Sequence, residues 1–374
     1  MPSVRAKLYL LSALLVWLAW SAGHQPTAAG QDGSYTVLWQ QPVGKAALPP
    51  AVSPWGDIYL VTGSGLLRLD GRGRTLWEFR TPEKPTGAPV FFADGSAFIA
   101  TGRGLYEVKP FGRAGWSFNI VCGEKGGPAA PNLVQGPGDL FYLVAGLSLY
   151  AVEPRRNLVW YVGEAGEPVA VDAGSRHVFL ARHRKGAGTT VVALDAAGRV
   201  LWEQGLPEQK EIYLAPDNNG ERLYAAGVPK TFDRLNKASV YAFEAATGKI
   251  LWCRKFNHRE VSKVTVGPEG SLYLVAGKRY LYVLDPATGQ EVFSTALGEL
   301  SGAAPAVDGP GTVYVPGKER LYALNRHTGR LLWEAAFEGG IPHTPALGTD
   351  GLTVYFVNGR GTLFALQTNR YGVE

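Results

Sequence analysis

The chain is 374 residues long and carries a net charge of +5, with 46% apolar and 18% charged residues. So mild a positive surplus, with no polybasic tail, excludes the basic stripe of a nucleic-acid binder, and two cysteines, Cys122 and Cys253, exclude a disulfide framework. The 48 Gly, 25 Pro and 10 Trp predict many tight turns between short strands, hence an all-β chain almost without helix.

The first element reads as an export signal. Arg5 and Lys7 precede an apolar run of 13 residues, 8–20, and small residues follow, with cleavage sites at Ser21-Ala22-Gly23 or Thr27-Ala28-Ala29. The run is shorter than the ~20 residues of a spanning helix. Residues 1–29 are therefore read as a signal peptide, with an uncleaved membrane tether as the alternative. No Cys lies in or just after the segment, so no lipid anchor is predicted there. Residues 30–374 are expected to form one exported domain, whether periplasmic, cell-surface or secreted.

From residue 35 onward one pattern recurs: an apolar strand, a polar turn usually holding Gly, then a strand with an aromatic at a fixed place. It opens with the lone strand Tyr35–Trp39 and continues as LLRLDGRGRTLW (66–77), LYEVKPFGRAGW (105–116), LYAVEPRRNLVW (149–160) and VVALDAAGRVLW (191–202). Clearer copies are VYAFEAATGKILW (240–252), LYVLDPATGQEVF (281–293) and LYALNRHTGRLLW (321–333). A last one, LFALQTNRYGVE (363–374), starts the pattern without reaching its aromatic. Trp39, Trp77, Trp116, Trp160, Trp202, Trp252, Phe293 and Trp333 thus mark eight repeats spaced by 38 to 50 residues. Two further strands precede each pair: a Pro/Ala/Val patch such as AAPAV (303–307) and an apolar run such as SLYLVAG (271–277).

A four-stranded sheet of about 40 residues cannot bury both faces alone, so neighbours stack, and radial stacking gives a propeller. The eighth repeat lacks its fourth strand, and the chain begins with one. Strands from both ends are therefore predicted to pair and close the ring. In the turns, Asp195, Glu244, Asp285 and Asn325 are expected to accept hydrogen bonds from backbone amides, and the following Gly to supply a positive φ. The aromatics are read as structural, each lying across the next blade.

The pattern A-x-D-x-x-T-G-x-x-x-W, nearly complete from Ala323 to Trp333 and from Ala242 to Trp252, resembles the repeat of pyrroloquinoline-quinone (PQQ)-type propellers. The resemblance spans residues 35–374 and implies an eight-bladed β-propeller of four-stranded antiparallel blades. Two groups share this repeat. Quinoprotein dehydrogenases hold PQQ and a metal ion, usually calcium, at the ring mouth. BamB-like proteins are compact eight-bladed rings without the cofactor, and BamB itself is an accessory subunit of outer-membrane β-barrel assembly. Repeats averaging about 42 residues leave little chain for a cofactor pocket, and the cysteines are not adjacent as in many of the dehydrogenases. The resemblance therefore implies a monomeric, non-enzymatic binding scaffold with protein partners in the cell envelope and no cofactor. The alternatives are a PQQ- and calcium-dependent oxidoreductase and a ligand- or carbohydrate-binding sensor. BamB typically carries a lipid-bearing N-terminal Cys, which is missing here.

No catalytic motif stands out: the six histidines are scattered, and no paired Cys or His stands at zinc-ligand spacing. Both cysteines read as small buried or half-buried thiols. The informative irregularities are ARHRKGAGTT (181–190) and AAGVPKTFDRLNKAS (225–239), read as insertions between the second and third strands of repeats four and five. They are predicted to emerge on one face of adjacent blades, bringing together Arg182, Arg184, Lys185, Lys230, Phe232, Arg234 and Lys237 against one acid, Asp233. Such a basic, aromatic surface suits an acidic protein segment, an anionic polysaccharide or lipid head groups. The plain alternative is a pair of solvated loops.

Overall fold

The computed structural model describes residues 34–369, apart from 47, 103, 120–132, 137–139, 146–147, 155–156, 164–168, 172–175, 185–187 and 235. The export segment 1–29 and Cys122 lie outside the described residues. Within them every regular element is a strand.

The chain opens with β1 (Tyr35–Pro42). Blade one follows as β2 (Ala51–Val52), β3 (Ile58–Val61), β4 (Gly65–Leu69) and β5 (Thr75–Arg80). Blade two is β6 (Val90–Phe91), β7 (Ala97–Thr101), β8 (Gly104–Val108) and β9 (Ala114–Asn119). In blade three come β10 (Leu133–Gln135), β11 (Phe141–Ala145), β12 (Ser148–Glu153) and β13 (Asn157–Val162). Blade four holds β14 (Val169–Val171), β15 (Val178–Arg184), β16 (Gly188–Leu194) and β17 (Val200–Leu206). Blade five is β18 (Gln209–Pro216), β19 (Arg222–Pro229), β20 (Ser239–Glu244) and β21 (Ile250–Lys255). Next, blade six contains β22 (Thr265–Val266), β23 (Leu272–Ala276), β24 (Tyr280–Leu284) and β25 (Glu291–Ala296). Blade seven has β26 (Ala306–Val307), β27 (Thr312–Pro316), β28 (Arg320–Asn325) and β29 (Leu331–Ala336). Finally β30 (Ala346–Leu347), β31 (Thr353–Val357) and β32 (Thr362–Thr368) form blade eight, completed by β1.

All eight sheets are antiparallel, seven of them meanders in chain order and the eighth completed by β1, which makes the molecule an eight-bladed β-propeller. β1 pairs with β32 from Tyr35↔Thr368 to Pro42↔Thr362, so the two ends of the chain close the ring as the repeat map predicts. The first strands of successive blades approach one another, which places them at the axis. Second strands such as β3 and β23 are buried at every residue, because neighbouring blades cover both faces of the sheet. The outer strands β5, β21 and β25 alternate exposed and half-buried residues. The core therefore lies between blades. One cluster joins Phe179 and Trp202 of blade four to Leu223, Tyr241 and Phe243 of blade five.

The conserved geometry of the repeat is a docking contact at the outer edge. Trp39, Trp77, Trp160, Trp202 and Trp252 each donate their indole N–H to a turn carbonyl of the next blade. The acceptors are Gly71, Pro110, Ala196, Ala245 and Pro286, at 2.8–3.1 Å. Beneath each ring lies the turn glycine: a Cβ at Gly248 would sit 2.5 Å from Trp202, and one at Gly289 2.5 Å from Trp252. The turn glycine is thus required twice, for its positive φ and for the ring above it. Phe293 packs over Gly329 in the same way without the hydrogen bond. Trp333 meets Tyr35 instead, at 4.7 Å between ring centroids, because the turn of blade eight is divided between the chain ends. A β-bulge precedes the aromatic in most third–fourth strand pairs, setting Trp202 opposite Ala193, Trp252 opposite Ala242 and Trp333 opposite Ala323. The small cross-strand partner explains the Ala of the repeat pattern.

The turn acceptors divide by side-chain length. Asp195, Asp285 and Asn325 accept two backbone amides each. Glu244 is a carbon longer and takes the Thr247 hydroxyl instead, which corrects the expectation for that position. Cys253 on β21 is exposed rather than buried, because the outermost strand has no neighbour beyond it.

Candidate partner cleft at the ring mouth

Strands alternate in direction, so the second-to-third-strand turns and the connections between blades emerge on one face of the ring. Blade five breaks the repeat on that face. Its axial strand β18 has 8 residues where the other first strands have two or three, and β19 also has 8. Their pairing begins at Gln209↔Pro229, with an irregularity between Gln209 and Glu211, so the hairpin stands above its neighbours.

Against this wall lies a cleft of about 600 Å³. Lys210, Glu211 and Tyr213 of β18 form one side, with Val228 and Pro229 at the end of β19 and Lys230 and Phe232 beyond it. The connection from β21 to β22 contributes Arg259, Glu260, Val261 and Ser262; Val275, Lys278, Ser301 and Gly302 complete the lining. A second cleft of about 410 Å³ continues past Lys278 to Arg279, Glu299 and Lys318. The size of the first is that of a ligand site, roughly 300–1,000 Å³.

Charge in the cleft is organised around Glu211. Its carboxylate accepts the Tyr213 hydroxyl at 2.7 Å and lies 3.2 Å from Lys210 Nζ. The Tyr213 hydrogen bond, with help from Lys210 and Lys278, holds Glu211 below the usual carboxylate range. Burial, followed by the bond to Glu211, raises the Tyr213 phenol above its ordinary value. Tyr213 is therefore a fixed neutral donor and Glu211 a fixed anion at any physiological pH. Around them Lys230 pairs with Glu208 (2.8 Å), Lys278 with Glu260 (3.1 Å) and Lys318 with Glu299 (2.8 Å). Arg360 with Glu338 at 2.9 Å repeats the motif in blade eight. The motif joins a turn cation to an acid of the preceding connection.

Of the residues predicted to share a surface, Lys230 and Phe232 line the cleft and Arg182 pairs within its own blade. The 181–190 segment is not an inserted loop but a lengthened hairpin, β15 and β16 pairing as far as Arg184↔Gly188. Strand extension draws Arg182 into its own blade, 2.6 Å from Glu203, with its side chain 13% exposed. Lys185 and the side chain of Arg184 lie outside the described residues. Lys230 and Phe232 do line the cleft. Arg234 is exposed beyond them, and Lys237 is tied to Asn257 Oδ1 at 3.0 Å. Sequence reasoning missed Lys210, Glu211, Tyr213, Arg259, Glu260 and Lys278. The available signal was the 50-residue spacing from Trp202 to Trp252, the longest in the chain, whose excess lengthens β18 as well as the turn.

A metal-assisted quinone would need several donors gathered at one point of the cleft. Glu211 and Glu260 are each engaged by a lysine, and among the described residues no group of three His, Cys, Asp or Glu is placed to hold a metal ion. As placed, the carboxylates of the cleft are not gathered into a calcium-binding set.

Comparison with known proteins agrees with the architecture. Residues 236–370 match the family described as outer membrane protein assembly factor BamB. A search of curated protein sequences gave no significant match. Among solved structures, BamB from Moraxella catarrhalis is 15% identical with a TM-score of 0.67, covering 89% of this chain and 99% of its own. The quinohemoprotein alcohol dehydrogenase ADHIIG from Pseudomonas putida HK5 is 12% identical with a TM-score of 0.69, covering 94% and 79%. The computationally designed Ika8 protein is 14% identical with a TM-score of 0.67, covering 87% and 98%. In fold the chain is an eight-bladed β-propeller like these structures, and its residues 236–370 match a BamB-type family. At such identities the structural likenesses carry the fold alone, since an assembly factor, an oxidoreductase and a designed chain share it equally.

Proposed function

We propose that the chain is an exported, non-enzymatic scaffold of the cell envelope, released by cleavage after residues 1–29, that holds a protein partner at the ring mouth. The observation that carries this reading is the cleft beside blade five. The blade whose axial strand is lengthened to 8 residues builds a lined, charged recess beside it. Binding residues collect on such departures, because a rigid scaffold positions them at little entropic cost. The match of residues 236–370 to an outer-membrane assembly factor supports an envelope setting.

The test is a titration of the purified chain with PQQ and calcium, together with photo-crosslinking in the envelope from a reactive residue placed at Phe232. No thermal shift and a single cross-linked protein are expected. A saturable, metal-dependent rise in melting temperature overturns the scaffold reading in favour of a quinoprotein oxidoreductase.

A further inference from the structure

We infer that the two clefts form one groove that takes an extended acidic segment of a partner protein, with an apolar side chain against Phe232 and Tyr213. The inference rests on the scaffold reading and names the partner's chemistry. The two clefts share Lys278 and together cross from blade five to blade seven, a course that suits a length of chain better than a compact small molecule.

Charge selects the sign. Six cations line the two clefts against three carboxylates, Glu211, Glu260 and Glu299. Arg259 and Arg279 enter no ion pair among the described residues. The pairs of Lys278 and Lys318 are open to water, each partner about half exposed or more. Such pairs are weakly held, so an incoming carboxylate exchanges with them readily. Val228, Pro229, Val261 and Val275 supply apolar lining beneath this rim.

An independent observation lies at the junction. Lys278 has φ 52°, the one non-glycine among the described residues in the left-handed region. Gly or Asn occupies that conformation with less strain. The turn instead projects a long cation where the two clefts meet, and strained backbone of this kind gathers at binding sites.

The experiment uses fluorescein-labelled peptides alternating Val with Glu, and the same peptides with Lys for Glu, followed by anisotropy on the full chain. The acidic peptide is expected to bind saturably and to weaken with salt, while the basic one does not bind. Charge reversal by Arg259→Glu with Lys278→Glu should weaken binding at least roughly tenfold, with an unchanged melting temperature as the folding control. Lys278→Asn should weaken binding while the melting temperature holds or rises. Equal binding of both peptides overturns the inference, as does an affinity indifferent to charge reversal. So does binding of heparin, the probe for an anionic polysaccharide, in place of the peptide. If the charge-reversed chain cross-links to the same envelope protein as the wild type, this inference fails and the scaffold reading stands. If PQQ with calcium raises the melting temperature, the scaffold reading itself fails.

Discussion

The outer docking belt and the ring mouth are built from the same repeat, yet they differ in what each side chain is asked to do. In the belt five positions answer to one another from blade to blade: at Trp39, Trp77, Trp160, Trp202 and Trp252 an indole, a turn carbonyl and a glycine meet in the same order. At the mouth, Lys210, Glu211, Tyr213 and Phe232 stand apart from the repeat, because among the described residues the strand that carries three of them is extended in blade five alone. Repetition therefore marks what holds the ring together, and departure from it marks what the ring can hold. Substitutions in the belt should cost stability without touching binding, and substitutions at the mouth should do the reverse.

The largest effect is expected for Trp202→Ala. The side chain is 9% exposed and its N–H is bonded to Ala245 O at 2.8 Å. Its loss removes packing between blades four and five and should cost about 3–5 kcal/mol, measured by denaturant melts. A loss below about 1 kcal/mol would mean the blades cohere without the docked ring. Next comes Gly248→Ala, where a Cβ would meet Trp202 at 2.5 Å on a backbone with φ +73°. Gly270→Ala is its control, with φ +94° and open space around the Cβ. Strain at φ should cost each about 1–2 kcal/mol, and steric overlap should add about 1–3 kcal/mol to the first alone. Equal losses would show that the glycine serves only its turn.

The same contrast explains how much could be read from the chain itself. Eight aromatics at a near-constant period, with an unpaired strand at each end of the pattern, specify blade number, strand count and ring closure, because each is a property of the repeat. The docking glycines were legible as turn residues but not as seats for an indole, since a contact 34 to 46 residues away leaves no local trace. The mouth was half legible. An excess of chain in repeat five was visible, and with it Lys230 and Phe232. A one-dimensional excess does not say whether it becomes loop or strand. In blade four it became strand and folded Arg182 against Glu203. In blade five it became both, which brought Tyr213 and Glu211 into view of Arg259 and Lys278 from a blade that shows no excess at all.

Phe232→Ala tests the mouth from the stability side. Phe232 is 39% exposed and follows the last residues of β19 rather than entering a core, so its loss should stay within about 0.5 kcal/mol. The cross-linked or peptide-bound fraction should fall with it. A loss of several kcal/mol, with binding intact, would move Phe232 into the structural class and leave the cleft without its aromatic.

The smallest effect is expected in the belt's turns, and it depends on pH. The Thr288 hydroxyl, then the amides of Thr288 and Ala287, hold the Asp285 carboxyl below its ordinary value against the opposing effect of burial. In Asp195 the Arg199 amide leads in the same direction. A carboxylate depressed in the folded state contributes stability above its unfolded value, near pH ~4, and that contribution is lost as pH falls through the folded value. Asp285→Asn removes the titration and keeps the acceptor, as Asn325 does in blade seven, with His327 N at 2.9 Å and Thr328 N at 3.0 Å. The variant should match the wild type at neutral pH within about 0.5 kcal/mol and lose less stability on acidification. Melting temperatures across the acid range decide it. Parallel curves would show that the turn needs only an oxygen at this position, and that its negative charge adds nothing to the belt.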